Sequence, residues 1–397
     1  MCREVNRLEN GVKNEGRAIR ARIWIAGGGT GGHVYPALAV AQALEVERER
    51  QPTGRVDIVY IGGVGGIEEG LVRRAGVRFV GIPAGGVHGI APTRALQNLA
   101  KLMRGFGAVY RLGRRTRPDA LLVTGGYASV PVALAAWMLR VPILVYLPDI
   151  EPGLAVQFVA RLAARVAVTV EEAGAHFAPR KVLVTGYPVR AEFQDLDRTA
   201  ARAALGLAPD EPVLLVMGGS RGARSINQAL DEVLEPVLGM AQVVHVSGAL
   251  DWPWVSERRE GLPPALQARY RAFSYLHEIG PALASADLAL CRAGAMTLGE
   301  LPFFALPAIL VPYPHAWRYQ RVNAEWLAER GAAIWLADER LPETFLPTVR
   351  RLLSDRPALL EMSRRIAALA RPDAASRLGD ELFELSSLSS NLTGGDG

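Results

Sequence analysis

A chain of 397 residues, half of them hydrophobic and about a fifth charged, is long enough for two domains that each bury a core. Two cysteines, Cys2 and Cys291, argue against a disulfide framework and fit a reducing compartment. The first 22 residues lack an apolar core of signal-peptide length, and no segment offers 18 uninterrupted apolar residues, so neither a leader nor a membrane span is expected. Net charge is +5 but uneven: +10 over residues 1–192 and −5 over the rest, which points to an anionic partner for the first half or to scatter on an Arg-rich chain.

After an N-terminal extension (1–21) that reads as flexible, short apolar runs recur, each followed by glycine and then a helical period. They are RIWIAGGG, VDIVYIGG, ALLVTGG, PILVYLPD and KVLVTGYP; after residue 210 the scheme restarts with PVLLVMGGSRGARSINQAL, VVHVSG, DLALCRAG and PAILVPYP. Continuous apolar strands alternating with helices predict parallel sheets of β-α-β units, and two series predict two doubly wound α/β domains. The polar stretch from Arg190 to Pro212 marks the boundary, giving domains at 22–188 and 189–370, a C-terminal helix within 371–386 and a disordered Ser/Gly-rich tail at 387–397.

Each half opens with a strand, a glycine turn and a helix start, where outward-pointing N–H groups suit an oxyanion. Gly27, Gly29 and Gly32 formally fit a dinucleotide fingerprint, but the second strand ends in Gly62-Gly63, and its only acid, Asp57, lies at its beginning. That disfavours a dehydrogenase. What remains is a turn that places Thr30 and His33 at a helix mouth. A lone histidine is more often a packing residue, yet the anion-binding position of His33 argues for a role in chemistry.

In chain order, GGGTGGHVYPALAVAQAL, TGGYASVP, VTGYPVR, GGSRGAR, ADLALCRAGAMTLGEL and VPYPHAWRYQRVNA resemble the motifs of the bacterial MurG family. Those enzymes move N-acetylglucosamine from its UDP conjugate to an undecaprenyl-pyrophosphoryl-muramoyl-pentapeptide, lipid I. The resemblance spans about residues 22–385. It implies two Rossmann-like domains facing a cleft, the GT-B glycosyltransferase architecture, with the nucleotide sugar bound mainly by the second.

Carried over by position, Leu276 after Tyr275 borders the uracil. Glu300 accepts both ribose hydroxyls, a vicinal diol matched to two carboxylate oxygens. Ser220 and the backbone of Ala295, Met296 and Thr297 hold the pyrophosphate, Arg190 falls at a donor-binding position, and Thr30, Gly31 and Gly32 close over a pyrophosphate. Gly126 and Tyr127 lie on the acceptor or phosphate side. His33 is the candidate base, or the group that orients the acceptor, because imidazole changes protonation near neutral pH.

Three positions depart from the family. A His-Glu-Gln-Asn run becomes Tyr146-Leu147-Pro148-Asp149, so Asp149 replaces an asparagine on the donor sugar. A glutamine in the second glycine loop becomes Arg221, and a Gln-Gln pair becomes Tyr319-Gln320. These changes leave open a different hexose or acceptor, or a divergent branch doing the same reaction.

No acid occurs between Glu69 and Asp119. Read as a helix, that gap puts Arg94, Lys101, Arg104, Arg111 and Arg115 on one face and Leu99, Leu102, Met103, Phe106 and Tyr110 on the other. Such a helix can rest on anionic lipid or simply pack on its own sheet. No nucleic-acid motif accompanies the charge, so nucleic acid is not expected as a partner.

The sequence therefore predicts an inverting transferase on the cytoplasmic face of the plasma membrane, with UDP-N-acetylglucosamine and a lipid-linked acceptor as partners. No cofactor or metal is expected; the Asp195-Leu196-Asp197 triplet reads as linker. The alternatives are a related transferase with another sugar or acceptor, or a non-catalytic nucleotide-sugar-binding subunit.

Overall fold

A computed structural model describes residues 19–50, 55–85, 92–219, 222–314 and 319–393. The first sheet is built from β1 (Ile19–Gly27), β2 (Arg55–Gly63), β3 (Arg78–Ile82), β4 (Ala120–Gly125), β5 (Ile143–Leu147), β6 (Arg165–Val168) and β7 (Val182–Val184). The second comprises β8 (Val213–Met217), β9 (Gln242–Val246), β10 (Tyr270–Phe273), β11 (Leu288–Cys291), β12 (Ala308–Leu310) and β13 (Ala333–Trp335). All pairings are parallel, in the orders β3-β2-β1-β4-β5-β6-β7 and β10-β9-β8-β11-β12-β13. Both are the doubly wound arrangement expected. The central strands β4, β5, β8 and β9 are buried along their whole length, which is why they read as unbroken apolar runs rather than alternating ones.

In each sheet the strand order reverses once, between β1 and β4 and between β8 and β11. A ligand crevice opens at the carboxyl ends of the strands at such a point, because the helices after the two neighbouring strands leave on opposite faces. The two glycine loops, after β1 and β8, stand at these points, and the start of the helix after the first meets the turn that follows β11: a Cβ placed on Gly32 would lie 3.7 Å from Ala295 Cβ.

Three local readings change. β1 begins at Ile19, inside the stretch taken as an extension, because Ile19 pairs with Arg55 and Ala21 is buried. The polar stretch after Arg190 is structured: Phe193, Ala201 and Leu207 are buried, and Asp197 caps the helix Arg198–Ala204 by accepting from Ala200 N at 2.8 Å. That cap accounts for one acid of the Asp-x-Asp triplet. The C-terminal helix runs from Ala374 to Thr393, past the expected start of a tail, with Leu385 buried and the Ser386 and Ser387 hydroxyls bonded back to the carbonyls of Phe383 and Glu384.

Candidate active site

The first glycine loop turns from β1 into the helix Gly31–Arg50, where the amides of His33 and Val34 donate to Thr30 O at 3.2 and 3.3 Å. Thr30 is exposed, and Gly31, Gly32 and His33 are half-buried. His33 Nδ1 lies 3.1 Å from Gly28 O and 3.2 Å from Thr30 Oγ1. A carbonyl only accepts, so the proton sits on Nδ1 and the lone pair on Nε2. Nε2 lies against Gly125, where a Cβ would come within 2.9 Å; glycine, at φ +117°, keeps that nitrogen uncovered. Gly126 follows in the same left-handed region at φ +85°, and Tyr127 is exposed.

Of the run Tyr146-Leu147-Pro148-Asp149, only Asp149 reaches the cleft. Tyr146 is fully buried with its hydroxyl on Thr169 at 2.7 Å, and Leu147 and Pro148 are buried. Burial raises the Asp149 carboxyl above the usual range, opposed by a hydrogen bond from Asn323 and by the nearby His33. Asn323, itself buried, donates to Asp149 Oδ1 at 2.8 Å and to Ala293 O at 3.1 Å, and accepts from Ile150 N at 3.2 Å. Sequence reasoning missed this residue.

On the second domain, Ala295–Leu298 forms a 3-10 turn after β11, and Thr297 donates to Gly294 O at 2.7 Å. Ala295 and Thr297 are buried and Met296 is half-buried. Glu300 follows, 3% exposed, with Arg190 Nη2 at 3.6 Å from its Oε1. Burial raises the Glu300 carboxyl and Arg190 pulls it back. The Arg190 guanidinium lies over the rings of Tyr35 and Phe193, at 4.6 and 4.3 Å from their centres. Tyr35 comes from the first domain, and its hydroxyl meets that of Tyr275 at 3.1 Å, one residue before the partly buried Leu276. Gln320 Oε1 accepts from Tyr313 N at 2.8 Å, and the Tyr319 hydroxyl is 3.5 Å from a Cβ placed on Gly153. Residues from both halves of the chain thus converge on one cleft. Ser220 and Arg221 lie outside the described residues.

The basic helix spans Pro92–Thr116. Lys101, Arg104, Arg111 and Arg115 are exposed; the side chain of Arg94 lies outside the described residues. The apolar face is split rather than wholly inward. Phe106, Tyr110 and Leu112 pack on the core, whereas Leu99 and Met103 are 51% and 63% exposed. The separation into a core face and a water face is therefore not met at these two positions. No described helix is long and apolar enough to cross a membrane.

Residues 23–168 match the glycosyltransferase family 28 N-terminal domain, and residues 213–378 match the glycosyltransferase family 28 C-terminal domain. The UDP-N-acetylglucosamine--N-acetylmuramyl-(pentapeptide) pyrophosphoryl-undecaprenol N-acetylglucosamine transferase of Roseiflexus sp. (strain RS-1) is 42% identical, over 90% of this chain and 93% of its own length. The chain belongs to this family. The transferase of the same name from Desulforudis audaxviator (strain MP104C) is 39% identical over 92% of this chain and 98% of its own. Among solved structures, MurG of Acinetobacter baumannii shares the fold at 24% identity and a TM-score of 0.69, over 92% of this chain and 99% of that one. So does a UDP-GlcNAc 2-epimerase from Neisseria meningitidis, at 14% identity and a TM-score of 0.65, over 91% and 100%.

Proposed function

We propose that this chain transfers N-acetylglucosamine from UDP-N-acetylglucosamine to the muramoyl 4-hydroxyl of lipid I, with inversion at the anomeric carbon, giving lipid II. The carrying observation is the meeting of the loop that ends in His33 with the Ala295–Glu300 segment across one cleft, in a member of a family whose relatives bear this activity in their names.

Uracil sits by Leu276, and the ribose hydroxyls donate to Glu300, whose carboxyl burial raises and Arg190 pulls back. The amides of Ala295, Met296 and Thr297, with Ser220, receive the pyrophosphate; fixed dipoles there stabilise the charge that grows on departing UDP. Asp149, Tyr319 and Gln320 contact the donor sugar. Thr30, Gly31 and Gly32, with Gly126 and Tyr127, cover the phosphate and acceptor side.

In the transfer, the acceptor oxygen gives its proton to His33 Nε2 and forms the bond to C1. The C1–O electron pair leaves with UDP. The acceptor is anchored in lipid, so the reaction belongs at the cytoplasmic face of the plasma membrane. There Lys101, Arg104, Arg111 and Arg115 meet anionic headgroups while Leu99 and Met103 enter the interface.

The test offers purified protein UDP-N-acetylglucosamine, UDP-glucose and UDP-N-acetylgalactosamine with a lipid I analogue, following UDP release and product mass. Preferential N-acetylglucosaminyl transfer to the muramoyl sugar supports the reading. Turnover only with another donor, or only with another acceptor, refutes it.

A further inference from the structure

One peptide unit in the first glycine loop is held at both ends by ionisable side chains from different elements. The N–H of Gly29 donates to Glu68 Oε2 at 3.3 Å, while the carbonyl of Gly28, on the other end of the same peptide, lies 3.1 Å from His33 Nδ1. Glu68 comes from the helix Ile67–Arg74 and is 2% exposed, and its second oxygen accepts from Gly63 N at 2.9 Å. The fit is close: a Cβ on Gly28 would lie 2.5 Å from Glu68 Oε1, so the carboxylate would have to shift to admit a side chain there. A buried carboxylate so near a loop built to face anions works against anion binding, and nothing in the nucleotide or lipid chemistry above explains it.

We propose that Glu68 is a positioning residue for the transfer, acting on His33 through the Gly28–Gly29 peptide. This rests on the reading of His33 as the base. The carboxylate polarises the peptide, making the Gly28 oxygen a stronger acceptor, as in any chain of hydrogen bonds in a low-dielectric site. That oxygen keeps the proton on Nδ1 and aims the Nε2 lone pair at the acceptor. When Nε2 takes the acceptor's proton, the positive charge spreads to Nδ1–H, which already points along a dipole backed by a full negative charge. The arrangement has the logic of a histidine oriented by a carboxylate, with a peptide inserted between them. The acceptor proton moves to Nε2 and later to solvent; Glu68 exchanges none.

Thr30 Oγ1 also faces the imidazole, 3.2 Å from Nδ1, and other groups hold the loop around it. Asp149 acts from the loop after β5. From β2, Tyr60 donates its hydroxyl to Gly27 O at 3.1 Å, and from β4, Thr124 donates to His33 O at 2.7 Å. Tyr35 lies two residues on in the same helix. Unlike these, Glu68 is bonded to the peptide whose carbonyl meets the ring.

The experiment measures pH profiles of kcat and KM with UDP-N-acetylglucosamine and a lipid I analogue for the full chain and for Glu68→Gln, Glu68→Asp, His33→Gln and the Glu68→Gln/His33→Gln double variant. The relay predicts that Glu68→Gln lowers kcat about 10–100-fold, the scale of lost outer-shell support. The KM for the donor stays within about twofold, so the loss is in the transition state. The acidic limb of the kcat profile moves to lower pH, since an imidazolium without the negative charge behind it forms less readily. Glu68→Asp restores part of the rate, and Glu68→Gln costs nothing further once His33 is gone.

An unmoved limb in Glu68→Gln, with the limb abolished in His33→Gln, overturns the relay and leaves the base intact. A wild-type limb in His33→Gln overturns the base and the relay with it. If the Glu68 variants fail to fold, the 15N spectrum of histidine-labelled wild type decides: an Nδ1–H tautomer at His33 is required, and an Nε2–H tautomer sinks the proposal.

Discussion

Asn323 donates to Asp149 Oδ1 at 2.8 Å, so a buried amide of the second domain ends on a carboxylate of the first. Its carbonyl oxygen takes Ile150 N and its second N–H goes to Ala293 O. Every polar atom of this side chain is used. Asn323→Ala strands an amide, a carbonyl and a carboxylate in a buried seam, at about 1–3 kcal/mol of stability. A lowered urea midpoint at unchanged m value is the expected result, together with reduced kcat because the seam aligns both loops.

Asp149→Asn separates bonding from charge. The amide oxygen still accepts from Asn323, but the ionisation opposed by burial is gone. Because Asp149 is raised in the folded state, its favourable contribution is complete below the ordinary carboxylate range and is lost as pH rises through the raised value. The variant should melt with the wild type near pH 4 and above it at neutral pH, the gap opening across that interval. A constant gap at all pH values would show that the carboxyl is not raised. Transfer activity should remain within about threefold, since an amide serves the donor sugar as an acceptor too.

Arg190 and Glu300 form a buried pair in which the arginine also covers two aromatic rings. Arg190→Ala leaves Glu300 buried without its cation, a loss of about 3–5 kcal/mol. Glu300 then rises further, because the cation that opposes its burial is gone, and its carboxyl accepts the ribose hydroxyls less well. The donor KM should climb more than about tenfold, and calorimetric UDP affinity should fall with it. Arg190→Lys should rescue little, because an ammonium does not stack as a planar guanidinium does.

Leu99→Ser with Met103→Ser removes the exposed apolar part of the basic helix without touching the cleft. Co-sedimentation with vesicles containing anionic lipid should drop severalfold, while turnover of a water-soluble acceptor analogue stays at the wild-type level. Raising salt should weaken what binding remains, since it then depends on Lys101, Arg104 and their neighbours alone.

What the sequence discloses and hides follows from the range of the interaction. β1, β4, β5, β8 and β11 are legible because an unbroken apolar run needs no partner to be recognised, and the glycines that follow mark the turns. Glu68 was invisible for the opposite reason. It sits beside Glu69, which pairs with Arg73 one helical turn on as a solvated acid does, and nothing local says that one of two adjacent glutamates turns inward under a loop 39 residues away. The four glycines Gly62, Gly63, Gly65 and Gly66 just before it were the available signal. Asn323 was hidden likewise, its partners lying 30 and 174 residues away.

The C-terminal helix Ala374–Thr393 closes the first domain, not the second. Leu378, Leu382 and Leu385 complete a cluster with Ile23, Val34 and Leu44, and Arg165 pairs with Glu381 and Glu384. The core begun by the first strand is finished only by residues some 350 positions later in synthesis. While the ribosome is still extending the chain, the first sheet stands with one apolar flank open, and contacts of such long sequence separation are slow to form. The second domain, contiguous between β8 and β13, can settle in the meantime. A polypeptide cut before Ala374 would keep every residue of the cleft and still lack the lid of its oldest core, and its nascent form is where a chaperone would be needed most.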